Sequence, residues 1–202
     1  MEDAKKRDNI KDFNKNEFKK RLFVAVDIPE VVKDNIYNLA TEMLPEDRYI
    51  RIVPAPNIHI TLKFLGGINI NKTGKIEEAI RITADLFEKF KYEISGRINA
   101  FPDTGNARVV FLEVDKGGEQ ICKIYNELEN NLSKIKIERE KRKFSPHITI
   151  ARLKNRKNIK ELIAGQKKFL NITLNCIEIT LFESRLKPDG AEYIIINKFN
   201  LK

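Results

Sequence analysis

The chain has 202 residues with 42% hydrophobic content, enough for one well-buried core and too little for two large independent domains. Its longest apolar runs, around Val24 and at Ile194 to Ile196, fall far short of the roughly 20 residues that cross a bilayer, and the charged start M-E-D-A-K-K-R leads into no apolar segment, so neither a membrane span nor a secretory signal is expected. A net charge of +9, from 38 basic against 29 acidic residues, favours an anionic partner. Cys122 and Cys176 form no C-x-x-C pair, and with Cys122 on the apolar stripe of an expected helix both read as reduced thiols. With two widely separated histidines besides, there is no short-spaced pair of zinc ligands, so no metal is expected. The expected setting is cytoplasmic and the expected state monomeric.

Residues 1 to 20 are almost entirely polar and read as a charged leader, with one two-lobed domain over 21 to 202. From Arg21, L-F-V-A-V predicts a buried strand closed by Asp27 and Pro29. Val32, Ile36, Leu39, Ala40 and Met43 then recur at helical spacing over 30 to 44. After Pro54 and Pro56, residues 58 to 65 read as a strand stopped by Gly66 and Gly67, and a helical face from Ile76 to Phe90 follows. Strands are expected near 92 to 100 and 107 to 114, and a helix over 118 to 134 burying Ile121, Ile124, Tyr125, Leu128 and Leu132. A basic segment, Lys134 to Lys143, delivers the chain to F144-S-P-H-I-T-I-A-R152. A short helix near 158 to 164 ends at Gly165, and two strands, near 171 to 183 and 191 to 199, close the chain. Strand, helix, H-I-T strand, helix occurs twice, the mark of a duplicated lobe.

Histidine occurs only twice, and each copy, His59 and His147, is followed by Ile and then Thr. On a strand, side chains two apart share a face, so His59 projects with Thr61 and His147 with Thr149, while Ile60, Leu62, Ile148 and Ile150 enter the core. A lone H-x-T in a strand carries little meaning; a matched pair in similar contexts points to chemistry. One imidazole as base and one as acid, with threonine hydroxyls on the non-bridging oxygens, would suit in-line attack on phosphorus without a metal.

R21-L-F-V-A-V-D-I-P29, N57-I-H-I-T-L-K-F-L-G66, F144-S-P-H-I-T-I-A-R152 and S184-R-L-K-P-D-G-A-E-Y193 together resemble the two-histidine phosphoesterases, in particular the RNA 2′,3′-cyclic phosphodiesterases historically called 2′-5′ RNA ligases. The resemblance spans about residues 21 to 199. It implies an α+β fold of two lobes, with antiparallel sheets lining a central cleft and helices outside. It also implies hydrolysis of RNA 2′,3′-cyclic phosphate ends to 2′-phosphomonoesters, with His59 as proton donor, His147 as proton acceptor and no cofactor. The RNA could be a tRNA fragment or be replaced by a small cyclic nucleotide. The alternatives are 2′-5′ end joining, or a module that binds RNA ends without turning them over.

Three further residues are candidates for substrate contact. Lys63 shares the strand face of His59 and Thr61 by strict alternation, unless the strand has left the cleft by then. Arg152 could grip a phosphate but falls by the same alternation on the face opposite His147. Phe23 either stacks on a base or is ordinary core. The basic run is read either as a guide for the RNA backbone or as a solvated surface.

Overall fold

A computed structural model describes residues 19 to 164, 171 to 188 and 190 to 202. Nine strands, β1 (Lys19–Asp27), β2 (Ile50–Ile52), β3 (His59–Asn69), β4 (Phe90–Phe101), β5 (Ala107–Val114), β6 (His147–Lys157), β7 (Ile172–Cys176), β8 (Glu178–Lys187) and β9 (Gly190–Asn200), form one sheet. Four α-helices accompany them among the described residues: α1 (Glu30–Met43), α2 (Thr73–Ala84), α3 (Gly118–Lys134) and α4 (Lys160–Ala164). The fold is α+β, and every recorded strand pairing is antiparallel.

The strand order β7-β4-β5-β6-β3-β1-β8-β9, with β2 added on β6, splits at its centre into two three-strand units of matching layout, β4-β5-β6 and β8-β1-β3. Each unit contributes its H-I-T strand to the seam. The ladder at the seam is a single residue pair, Ile60 with Ile148, and the two strands diverge from it.

One side of the sheet carries the main core. Leu22, Val24 and Val26 of β1, Ile60 and Leu62 of β3, and Ile148 and Ile150 of β6 pack there with Ile76 and Ile80 of α2 and Ile121, Ile124, Leu128 and Leu132 of α3. Removing these apolar side chains from water supplies the bulk of the folding drive. On the opposite face, Phe23, Ala25 and Phe182 form a small buried cluster with Tyr193 against it. β1 is therefore buried on both faces, which explains its unbroken apolar run.

Several boundaries depart from the sequence reading. The expected leader covers residues outside those described, except that Lys19 and Lys20 already pair with Asn69 and Ile68 in β1. Gly66 and Gly67 do not stop β3; Gly66, at φ 71°, sits where the β1–β3 register slips between Leu22 and Phe23, so the strand continues through a bulge that glycine's left-handed backbone permits. Helix α2 ends at Ala84, and Phe90 opens β4; the apolar spacing continued past the helix because Phe87 packs on the core from a loop. The expected strand over 171 to 183 is two, broken at Ile177, and β2 was not foreseen. Gly165 lies outside the described residues. Cys176 is buried and Cys122 half-buried, beside rather than on the buried stripe of α3, and both are free thiols. No helix among the described residues is long and apolar enough to cross a membrane.

Gly117 precedes α3 at φ 78°, and a Cβ there would collide with the Lys91 carbonyl and the Tyr92 backbone. Gly117→Ala combines left-handed strain with that clash, so chemical denaturation should show a loss of more than about 2 kcal/mol; an unchanged midpoint would contradict this packing.

Candidate active site

His59 and His147 are the first residues of β3 and β6. Because the strands are antiparallel and Ile60 faces Ile148, one step either way sets His59 toward Thr149 and Thr61 toward His147. The four side chains thus form a crossed square on one face of the seam, with the two imidazoles on its diagonal, a separation of about 7–8 Å in a regular ladder. All four are half-buried, while Ile60, Leu62, Ile148 and Ile150 behind them are fully buried. The structure therefore brings together the two histidines and both threonines.

The rings are held alike. Nδ1 of His59 lies 2.8 Å from the Asn57 carbonyl oxygen, and Nδ1 of His147 lies 2.8 Å from that of Ser145. A carbonyl only accepts, so each Nδ1 carries the proton and each neutral ring turns its Nε2 lone pair outward. The Thr61 hydroxyl fills that position on His59, donating to Nε2 over 2.8 Å. Nε2 of His147 has no hydrogen-bond partner among the described residues.

Aromatic walls surround both. Phe23 lies 4.9 Å from the His59 ring and Tyr193 5.4 Å; Phe101 and Phe111 lie 5.0 and 5.1 Å from His147. This desolvation disfavours the imidazolium. Burial pushes His59 down to about 4, against an upward pull from the Asn57 bond and the Asp27 carboxylate. Burial also lowers His147, opposed by the Ser145 bond and assisted by the positive charge of Arg152. Both histidines are consequently neutral at pH 7 in the unliganded protein.

One backbone feature decides the remaining candidates. In the β1–β3 ladder Val24 faces Lys63 but Ala25 faces Thr61, which leaves Leu62 as an extra residue. In the β5–β6 ladder Val110 faces Ala151 but Phe111 faces Thr149, which leaves Ile150 as an extra. The same bulge follows each H-I-T, and a bulge reverses the alternation beyond it. Lys63 is consequently not on the histidine face: it is buried at 6% exposure, its Nζ 2.6 Å from Glu129 Oε1 of α3, an ion pair without hydrogen-bond alignment, while it donates to the Glu138 carbonyl at 2.7 Å. Arg152 is brought onto the histidine face and exposed. Its charge reaches both imidazoles, and it makes no hydrogen bond or ion pair among the described residues.

Phe23 is 2% exposed, stacked on Phe182 at 5.0 Å. It is the floor beneath His59, with no face open to a base. The bulge instead exposes Phe64, at 65%, in the position of the first motif that Arg152 holds in the second. The six basic side chains of the Lys134–Lys143 run are all exposed, some of them engaged locally, as Arg142 is with Glu140 at 3.1 Å. Phe144, at the foot of that segment, stacks on Tyr125 of α3 at 4.1 Å, and Glu140 N–H donates to Glu129 at 3.3 Å, which fixes the approach to His147. Two clefts flank the square, one of about 400 Å³ beside Phe101, Phe111 and Ser145 and one of about 630 Å³ beside Asn57, Arg152 and Tyr193. No three His, Cys, Asp or Glu side chains gather into a cation site among the described residues.

The model of the 2′-5′ RNA ligase superfamily matches residues 42–188. The chain belongs to this superfamily. A relative from Methanothermobacter thermautotrophicus, named RNA 2′,3′-cyclic phosphodiesterase, is 31% identical over 91% of this chain and 100% of its own. One of the same name from Archaeoglobus fulgidus is 33% identical over 86% and 96%. The structure of E. coli LigT complexed with 3′-AMP superposes with a TM-score of 0.78 at 22% identity, covering 91% of this chain and 99% of that one, which bears on the fold of the superfamily.

Two measurements test the geometry. Long-range 15N–1H NMR should find both rings as neutral Nδ1–H tautomers at pH 7, with His59 titrating near 4; an imidazolium at neutral pH would contradict the described desolvation. Lys63→Met should cost about 3–5 kcal/mol by stranding the buried Glu129 carboxylate, while adding Glu129→Leu should recover most of it. A loss in the double variant equal to the sum of the Lys63→Met and Glu129→Leu losses would show the pair not to be coupled.

Proposed function

We propose that the protein hydrolyses 2′,3′-cyclic phosphate ends of RNA to 2′-phosphomonoesters, by acid and base catalysis from the two histidines. The observation that carries this reading is the crossed square: the antiparallel pairing of Ile60 with Ile148 sets His59 beside Thr149 and Thr61 beside His147 on one face of the sheet. Relatives named RNA 2′,3′-cyclic phosphodiesterase support it.

The cyclic phosphate carries one negative charge. Seated between the rings, it would take hydrogen bonds from Thr61 and Thr149 on its non-bridging oxygens. His147, whose Nε2 lone pair is open, accepts a proton from water as the water oxygen attacks phosphorus. The P–O3′ bond breaks opposite, and protonated His59 gives its Nε2 proton to the departing oxygen. A 2′-phosphate and a 3′-hydroxyl result, and proton exchange with solvent restores both rings. His59 is neutral before substrate arrives, so the proton it donates is taken up with the anion, whose charge stabilises the imidazolium beside Asp27.

Arg152, without an anionic partner among the described residues and within the field of both rings, adds positive charge to the trough. Phe64 offers an exposed ring on which the terminal base could stack, and the exposed basic run steers the backbone. The superfamily's ligase name favours a second reading, 2′-5′ end joining, in which the same groups act in reverse on a 5′-hydroxyl; hydrolysis needs only water. The proposed working form is a cytoplasmic monomer, in keeping with two unpaired thiols.

His59→Ala and His147→Ala should each remove nearly all turnover of an oligonucleotide with a cyclic-phosphate end, while Thr61→Ala and Thr149→Ala lose on the order of 10²–10³ in kcat. Turnover should persist in EDTA, and NMR of the product should show a 2′-phosphate; full activity in either histidine variant would refute the mechanism. Both imidazoles sit below their usual value of about 6.5 in the free protein, so kcat/KM should peak on the acid side of pH 6.5. The kcat profile should lie at higher pH, because bound phosphate raises the acid. Coincident profiles would show that substrate charge does not load the proton.

A further inference from the structure

Asp27, the last residue of β1, faces His59 directly across the β1–β3 ladder, where opposite side chains stand about 4.5–5.5 Å apart at Cβ on one face of the sheet. A carboxylate there conflicts with a phosphate site. Alone, it would charge the imidazole before any substrate arrived, and it would repel the anion when one did. The first turn of α1 supplies a counterweight. Lys33, buried at 4% exposure, turns back on β1 with its Nζ 2.9 Å from Asp27 Oδ1 and 2.9 Å from Oε1 of the exposed Glu30. Burial works against this ammonium, but the hydrogen bonds to the two carboxylates outweigh it and hold Lys33 above its ordinary value. Asp27 Oδ1 also accepts from the Ile28 N–H at 2.9 Å, so the carboxylate is anchored from two sides. The pair is a short dipole with its negative end toward the ring: Asp27 draws His59 up and Lys33 pushes it down, Asp27 the more strongly. Arg152 of β6 pushes it down as well, while β8 and β9 meet the ring with the aromatic side chains of Phe182 and Tyr193.

We propose, on the strength of the reaction assigned above, that Asp27 and Lys33 act together as positioning residues for the general acid. Asp27 supports the proton on His59 Nε2 while the phosphate is bound. Lys33 cancels enough of that carboxylate to keep the ring neutral, and the trough open to an anion, beforehand. The proton itself comes from solvent, and neither member of the pair exchanges one. The two charges therefore serve different steps: loss of Asp27 weakens the loading of the acid, whereas loss of Lys33 weakens the capture of the substrate.

The test titrates both rings of the unliganded protein by long-range 15N–1H NMR and then follows turnover. Asp27→Asn should leave His59 neutral at pH 4, where the wild-type ring is about half protonated, and Lys33→Gln should move it up by about one unit. His147, whose shift answers to burial, Ser145 and Arg152, should titrate as in the wild type in both variants, which separates the effect from a general folding defect. With an oligonucleotide ending in a 2′,3′-cyclic phosphate, kcat is lost as pH rises through the value of the bound acid. That limb should therefore move down in Asp27→Asn and up in Lys33→Gln. At pH 7, Asp27→Asn should lower kcat by up to about tenfold with KM unchanged, Lys33→Gln should raise KM by about tenfold, and Lys33→Arg should match the wild type. Shifts of His59 in the same direction in Asp27→Asn and Lys33→Gln, or in neither, overturn the proposal and leave the reaction standing. Should Lys33→Gln not fold, Asp27→Asn decides alone: a lowered His59 supports the pair and an unmoved one overturns it. Absence of wild-type turnover would instead refute the reaction, and the role of the pair with it, whatever the titrations show.

Discussion

The arrangement depends on a single backbone pairing, Ile60 with Ile148, that joins the two halves of the sheet. Were the seam longer, the H-I-T strands would lie flat and adjacent, and their side chains would crowd one another with no room for a substrate. Were it absent, no strand pairing would link β3 to β6. One pair of fully buried isoleucines holds the strands in register while the chains diverge on either side. Antiparallel direction does the rest. It sets each histidine toward the other motif's threonine, so neither half makes a complete site and the join between them does.

The second determinant is the bulge after each motif. Leu62 and Ile150 are the inserted residues, and each reverses the alternation of the strand beyond it. A buried lysine behind the sheet, an arginine beside the histidines and an exposed phenylalanine on the cleft all follow from that one event. The duplicated frame is used asymmetrically at equivalent positions: an aromatic ring in the first half, a cation in the second. A nucleotide end has the same asymmetry, with a flat base and a charged backbone.

How far the sequence disclosed this varies with the kind of signal. The two H-I-T repeats point to the four residues that meet at the seam because a period of two is a local property, and α3 is legible to its ends because apolar residues recur at helical spacing between Gly117 and Lys134. Lys63 and Arg152 were misplaced because alternation was carried through a bulge it does not survive. In the second motif a conflict was visible: Ile150 and Leu153 cannot both face the core across an odd step unless a residue is inserted. In the first, Lys63 hid the same conflict, since a lysine reads as solvent-facing until Glu129 and the Glu138 carbonyl are seen to receive it. Phe64 escaped for a related reason, its aromatic ring reading as core. The three residues of β2 are too few to carry a period, and the facing of Asp27 and His59 is a property of pairing that no single segment contains.

The walls that shape the site also set its proton balance. Packing Phe23 and Tyr193 around His59, and Phe101 and Phe111 around His147, fixes two rings that would otherwise sample many rotamers, and the same contacts strip the water that would stabilise an imidazolium. A site made of two cations would hold a phosphate more tightly but would contain no base. A site of two neutral rings contains a base and gains its acid from the charge of the substrate itself. Thr61 suits that sequence of events: its hydroxyl occupies Nε2 of His59 while the ring is neutral. Once that nitrogen is protonated, it no longer accepts, and the hydroxyl is released toward an oxygen of the arriving anion. In the proposed reaction, protonation, release of the threonine and capture of the phosphate would in this way be one coupled step rather than three.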